Sequence, residues 1–212
     1  MNEKALQKLS YGLYLISTEH EGKAAGCVVN TFTQATSSPA RVTVAINKGN
    51  FTTGMIQKSG KFTAVVLAQD AGMELIGRFG FRSSSDLDKF EGWKTAVGKN
   101  GVPYVAEQVV AQFECRVIGE LDAGTHIVFL ADLLEGELLE DGEPMTYAYY
   151  HQVKKGRTPP KASSYVEEPA AGKKKGFRCK VCGYFIEADS LPDDFICPVC
   201  KHGRDAMEPV EP

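Results

Sequence analysis

Four cysteines close to the C-terminal end restrict this chain more than any other feature. They run Cys179-x-x-Cys182, then fourteen residues, then Cys197-x-x-Cys200. Each C-x-x-C places two thiolates on one tight turn, and two such turns facing each other make a tetrahedral S4 cage, the donor set of zinc or iron. The stretch that holds them, about 176–209, is too short to fold on an apolar core alone and needs a staple. Two disulfides are the alternative staple, and the expected compartment argues against them. Residues 1–9 are polar and charged rather than an export signal, and no apolar run could span a bilayer, so a cytoplasmic protein without a membrane partner is expected. Thiols stay reduced there.

The whole chain has 212 residues, which suits one domain of moderate size plus a short appendage. Its net charge of -3 gives no electrostatic reason to expect a nucleic-acid partner. The basic run Lys173, Lys174 and Lys175 follows glutamates and a proline and is expected to be a solvated linker. Cys27 and Cys115 stand alone among apolar residues, as small core hydrophobes do.

Upstream of the cysteines, apolar runs alternate with turn signals. Strands are expected over 12–17, 25–31, 41–46, 62–67, 109–121, 126–134 and 145–150, rich in Val, Ile and aromatics. Short helices are expected over 2–9, from Asn50 or Thr52 towards Lys58, and over 70–78. Tyr147, Tyr149 and Tyr150 alternate as a strand edge would, for core or dimer packing. Long late strands and few helices favour a mainly β, antiparallel barrel over a doubly wound sheet. Composition then shifts to Pro, Ser, Gly and Lys. The expected division is a barrel domain 1–153, a flexible linker 154–175 with a mean span of roughly 25 Å, and a metal domain 176–212.

The barrel part has no G-x-G-x-x-G after a strand and no phosphate loop of the G-x-x-x-x-G-K type. It does have a hydroxyl-rich run leaving a strand, Asn30-Thr31-Phe32-Thr33-Gln34-Ala35-Thr36-Ser37-Ser38-Pro39. Its N–H groups and hydroxyls could hold a phosphate or the polar edge of a ring, or make only a turn. A second polar cluster, Asn47-Lys48-Gly49-Asn50-Phe51-Thr52, ends the next strand and opens a helix, where Lys48 and the helix N-terminus would favour a phosphate or simply cap and solvate.

Two resemblances follow from these residues. Phe177 to Tyr184 and Phe195 to Cys200 look like the two knuckles of a rubredoxin, and Gly203-Arg204-Asp205-Ala206-Met207-Glu208 resembles a rubredoxin ending. The resemblance implies one iron rather than zinc. Glycine after the second cysteine of a knuckle permits a left-handed turn that aims N–H groups at sulfur. Lys201 stands where the second knuckle usually has glycine, and would strain that turn or alter its hydrogen bonding.

Taken in order, 9–14, 30–39, 47–52 and 79–90 resemble the flavin reductase family with its FMN-binding split barrel. That resemblance implies that Asn30, Thr31, Gln34, Ala35, Thr36 and Ser37 line the flavin ring and its tail. Asn47, Lys48, Asn50 and Thr52 would approach the ribityl chain and phosphate, and Arg82 and Ser83 the ring or phosphate. Gly124-Thr125-His126 is similar to a Gly-Asp-His of the family, which would set His126 near the nicotinamide, with Thr125 replacing the aspartate.

A flavin reductase-like barrel fused to a rubredoxin is similar to the high-molecular-weight rubredoxins of strict anaerobes. The resemblance implies electron transfer from NADH or NADPH through FMN to an iron centre with four cysteine ligands and on to a flavo-diiron protein that reduces oxygen or nitric oxide. It also implies a homodimer. Two other functions fit the same residues: a flavin or ferric reductase with an accessory iron domain, and a ligand-binding barrel with a structural zinc ribbon.

Overall fold

The architecture was taken from a computed structural model. The structure describes residues 3–154, 156, 158–159, 162–165 and 175–210. Asn2, expected to cap a first helix, lies outside them, and the following residues form a 3-10 turn, Glu3–Lys8.

Seven strands make one antiparallel sheet. They are β1 (Tyr14–His20), β2 (Lys23–Val29), β3 (Thr33–Ser37), β4 (Ala40–Asn47), β5 (Lys61–Leu67), β8 (Val109–Asp122) and β9 (His126–Leu138), ordered β2-β1-β5-β8-β9-β4-β3. A small hairpin, β6 (Thr95–Val97) with β7 (Pro103–Val105), lies apart. The long pair β8–β9 shifts register at Glu114/Cys115 and again at Val117/Gly119. Such irregularities sharpen the twist and let a sheet curl.

Both faces of the central strands are buried, so Leu15 and Ile16 point into different cores. One core gathers Ile16, Val44, Ile46, Phe62, Ala64, Cys115 and Phe129 with Ile56 of helix α1 (Phe51–Ser59). The other gathers Leu13, Leu15, Val65 and Leu67 under helix α2 (Met73–Phe81), through Leu75, Ile76 and Phe79. Burial pushes the Cys27 thiol up to about 11 and raises the Cys115 thiol too, as inert core thiols require.

Both helices start where a strand hands the chain over. Asn50 caps α1 by accepting from the Thr52 N–H at 3.0 Å, and Gly60, at φ 67°, closes it with a bond from its N–H to the Ile56 carbonyl. Lys89, 2% exposed, straps α2 to β2 by donating to the carbonyls of Gly26 at 2.7 Å and Phe79 at 3.0 Å.

The expected strand over 145–150 is instead a helix, α3 (Tyr147–Gln152). Thr146 caps it by accepting from the Tyr149 N–H at 3.1 Å. Tyr147 and Tyr150 then stack three residues apart, with ring centroids 5.9 Å apart and planes 12° apart. The tyrosines obey the helical spacing, not the alternation of a strand. The helix expected over 70–78 begins three residues later, because Gly72 takes the cap position with extended backbone.

The last described residues form a separate three-stranded sheet, β11-β10-β12, from β10 (Gly176–Cys179), β11 (Phe185–Ile186) and β12 (Met207–Val210).

Candidate metal centre and flavin pocket

The two knuckles repeat one hydrogen-bond scheme. The Cys179 N–H donates to the Tyr184 carbonyl at 2.7 Å and the Gly183 N–H to the Cys179 carbonyl at 2.8 Å. In the second knuckle Cys197 donates to His202 at 2.8 Å and Lys201 to Cys197 at 2.9 Å. Gly183 has φ 74° and Lys201 φ 58°, so the lysine adopts the left-handed turn that the glycine adopts. The turn and its hydrogen bonds are kept; the cost is local strain of about 1–2 kcal/mol for a residue with a β-carbon.

The four thiols are at most 2% exposed, and their sulfurs all lie within 4.8 Å of one another. The pairs Cys179–Cys200 and Cys182–Cys197 are each 3.5 Å apart, far beyond a disulfide bond. A tetrahedron with metal–sulfur bonds of about 2.3 Å has edges of about 3.8 Å, so the cage fits a zinc or iron ion. Backbone N–H groups of Val181 and Cys182 point at the Cys179 sulfur, that of Tyr184 at Cys182, and that of His202 at Cys200. The hydrogen bond from Cys182 lowers the Cys200 thiol against the opposing effect of burial. Phe177, Tyr184, Phe195, Leu191 and Met207 pack around the sulfurs.

The larger part of the chain holds a cavity of about 460 Å³, within the ordinary range for a cofactor site. Seven residues singled out in the sequence line it: Asn30, Thr31, Asn47, Asn50, Arg82, Ser83 and His126. Apolar walls come from Leu13, Val28, Phe51, Ile76 and Phe81. Apolar walls for a ring, amides and hydroxyls for a polar chain, and both a guanidinium and the start of α1 for a phosphate make a donor set that fits FMN.

Several of these groups already have structural duties. The Thr31 hydroxyl donates to the Ala45 carbonyl at 2.7 Å, pinning the end of β2 to β4. Asn47 Oδ1 accepts from the Gly49 N–H at 2.9 Å. His126 pairs with Asn47 across β9 and β4, and its Nδ1 lies 2.8 Å from the Thr125 hydroxyl.

Six further candidates lie elsewhere. Gln34, Ala35, Thr36 and Ser37 lie in the exposed edge strand β3, where Thr36 donates to the Pro39 carbonyl at 2.6 Å. Lys48 turns outward to Asp122 at 2.6 Å. Thr52 is fully buried with its side chain against the Cys27 thiol.

Two contributors to the pocket were not singled out in the sequence. Pro159, Ala162 and Ser163 lie over it, within the stretch expected to be a linker. The Asn30 amide donates to the Ser164 hydroxyl at 2.8 Å, and Ser164 donates to the Tyr147 hydroxyl at 3.2 Å. The other contributor is the first knuckle, through Lys180 and Val181. The first knuckle therefore borders the cavity. Phe81 of α2 packs into the core around the cysteines, and Arg82 Nη1 reaches the Lys201 carbonyl at 3.5 Å.

Residues 6–156 match the flavin reductase-like domain family, and residues 177–208 match the rubredoxin-like domain of rubrerythrin. The chain belongs to the flavin reductase-like family. One relative matches it from end to end. The high molecular weight rubredoxin of Moorella thermoacetica is 38% identical over 99% of this chain and 100% of its own length. The ferric-chelate reductase (NAD(P)H) of Archaeoglobus fulgidus is 44% identical over 79% of this chain and 99% of its own. Among solved structures, the NADH:FAD oxidoreductase SgcE6 of Streptomyces globisporus shares the fold with a TM-score of 0.62. It is 22% identical and overlaps 68% of this chain and 86% of that one. The mainly β fold of this flavin reductase-like chain, with a rubredoxin-like tetrathiolate module, is thus the one that the residues suggested.

Proposed function

We propose that the chain takes electrons from NAD(P)H by way of FMN, passes them singly to an iron held by Cys179, Cys182, Cys197 and Cys200, and delivers them to a partner protein. NAD(P)H-dependent flavin reduction is the chemistry of the barrel's family. FMN, when bound, accepts a hydride and releases electrons one at a time. One observation carries the relay: a single cavity is bordered both by the flavin-side residues Asn30, Asn47 and Arg82 and by the knuckle residues Lys180 and Val181.

The chain's own residues supply placement rather than a nucleophile or general base. Phe51, Phe81 and Val28 would hold the ring, while Arg82 and the start of α1 would hold the phosphate. Gln34, Ala35, Thr36 and Ser37 of the edge strand stay candidates for the ring and its tail only if β3 folds towards the cavity, and Lys48 for the phosphate only if it leaves Asp122. Thr52 would act through the cap of α1, within which it is buried. His126 would sit beside the nicotinamide, oriented by the Thr125 hydroxyl. The electrons balance when one NAD(P)H reduces two ferric centres, giving NAD(P)+, two ferrous centres and one proton.

The proposed acceptor is a flavo-diiron protein that reduces oxygen or nitric oxide. The proposed assembly is a homodimer. No helix among the described residues is long and apolar enough to cross a membrane. The proposed compartment is the cytoplasm, where the cage's thiols stay reduced. The proposed division is a barrel 1–153, a linker 154–175 and an iron module 176–212, and family matches over 6–156 and 177–208 lend it support.

The test is the spectrum of protein from its native source, handled without oxygen. A red iron and a yellow flavin chromophore, both bleached by NAD(P)H, are expected. Stoichiometric zinc and no bleaching would sink the proposal. The Archaeoglobus relative favours a second function, direct ferric-chelate reduction on the barrel alone, in which case activity survives loss of the cage.

A further inference from the structure

Between the two redox sites lies a contact that flavin binding and iron binding do not by themselves require. Gly77 is buried in the middle of α2, a position where glycine costs about 1 kcal/mol relative to alanine. The reason is visible across the contact. A β-carbon on Gly77 would overlap the carbonyl oxygen of Val199 and stand 3.9 Å from the Cys200 Cα. The second knuckle sits in the notch that this missing side chain leaves. Beside it Phe81 packs into the core around the cysteines, Arg82 reaches the Lys201 carbonyl, and Val181 of the first knuckle lines the cavity.

Val181 and Val199 each precede the second cysteine of a knuckle, so the docked side is the one nearest Cys182 and Cys200 along the chain. The rest of the cage is wrapped by Phe177, Tyr184, Ile186, Leu191, Phe195, Ala206 and Met207. On the docked side Val181 and Val199 pack against the cysteines together with Phe81 of α2, so in this structure the barrel covers the knuckle face.

We propose that this knuckle face is a single electron port used in alternation. Seated in the Gly77 notch of its own chain, the module receives electrons. Released from the notch, it presents the same face to the external acceptor. Acceptor and barrel thus compete for the module, and Gly77 is the positioning residue that sets the seated pose. The inference rests on the relay proposed above and adds to it where the port lies and why the module must leave.

Gly77→Ala is the informative change. Alanine is the better helix former, so the barrel is expected to stay folded and to bind flavin as before. Three readouts on the full chain bear on the port. In zinc-loaded protein, amide hydrogen exchange at 199–201 should quicken, while β5 and β8 stay protected. In iron-loaded protein, NAD(P)H should bleach the flavin at the wild-type rate and the iron about tenfold more slowly, since a displacement of about an ångström is enough to spoil a positioned transfer. When the chain is reduced beforehand with dithionite and mixed with cytochrome c as a one-electron probe, the variant should deliver electrons several-fold faster than wild type. The opposite signs of the last two effects define the proposal. Unchanged exchange at the notch, or unchanged iron reduction, would overturn the seated pose. Equal or slower delivery to cytochrome c would overturn the shared port. Failure of NAD(P)H to reduce wild-type flavin would overturn the relay instead, while leaving the exchange result interpretable.

Discussion

The barrel and the tetrathiolate module each hold a redox site, and they are stabilised by different physics. The barrel has two apolar cores, one on either side of its central strands, and its cavity is lined by residues contributed from several elements. In the module's core cluster seven residues are buried, and four of them are the cysteines. Its apolar area is small, so the metal is its main staple. The barrel is therefore expected to stay folded without its cofactor, and the module to depend on its metal.

Metal removal should expose that contrast most sharply. Structural tetrathiolate sites contribute on the order of 10 kcal/mol of binding free energy to folding. Stripping the metal under reducing conditions should collapse the amide dispersion of 176–210 in an NMR spectrum and leave the barrel's melting transition in place. Coincident loss of both would show that the barrel depends on the module.

Damage to the barrel's core should have the converse effect. Phe129 is fully buried, and Phe129→Ala should cost about 3–5 kcal/mol, lowering the barrel's melting temperature while the iron spectrum persists.

A pH effect of intermediate size should belong to the barrel alone. Burial lowers Lys89 to about 8, with the Arg82 charge lowering it further and Cys27 and Asp86 acting the other way. The unfolded chain then binds a proton that the folded chain has released, so stability rises with pH above about 8 until the unfolded lysine also titrates near 10.5. Between pH 8 and 9.5 the gain is about 2 kcal/mol. Denaturant titrations should show it in wild type and lose it in Lys89→Met, while the module's stability stays insensitive to that substitution.

The smallest expected effect concerns Lys201. Lys201→Gly relieves the left-handed strain and should steady the module by about 1 kcal/mol, read as slower metal release to a chelator. Faster release would mean that the lysine contributes more than its backbone costs.

The two regions were also unequally legible in the sequence. The cage was readable because ligand chemistry fixes both residue type and spacing: the four cysteines converge as their pattern demanded. Most barrel strands were readable from β-branched runs, because both faces of the sheet are buried. The hydroxyl-rich run at 33–37 was open to reading as a ligand-holding segment or a turn, and is an exposed edge strand whose polarity reflects solvent. The tyrosines at 147–150 were misjudged because alternation and helical spacing coincide over four residues, and the cap at Thr146 decides between them. The cavity was only partly legible. Asn30, Asn47, Asn50 and Arg82 meet there, but a polar Ser-Pro segment gives no signal of where it lies, so the bond between Asn30 and Ser164 was invisible. Nothing in the spacing marked the contact at Gly77 either; a glycine inside a helical pattern was its only trace.

The relay to a partner is the central claim, and one measurement tests it directly. NAD(P)H-driven reduction of oxygen or nitric oxide by a purified flavo-diiron protein should be followed with wild-type chain and with Cys197→Ser. The expected result is loss of partner reduction in Cys197→Ser while its flavin is still reduced by NAD(P)H at the wild-type rate. Partner reduction that survives with the iron gone would contradict the account and place the reduction on the barrel alone.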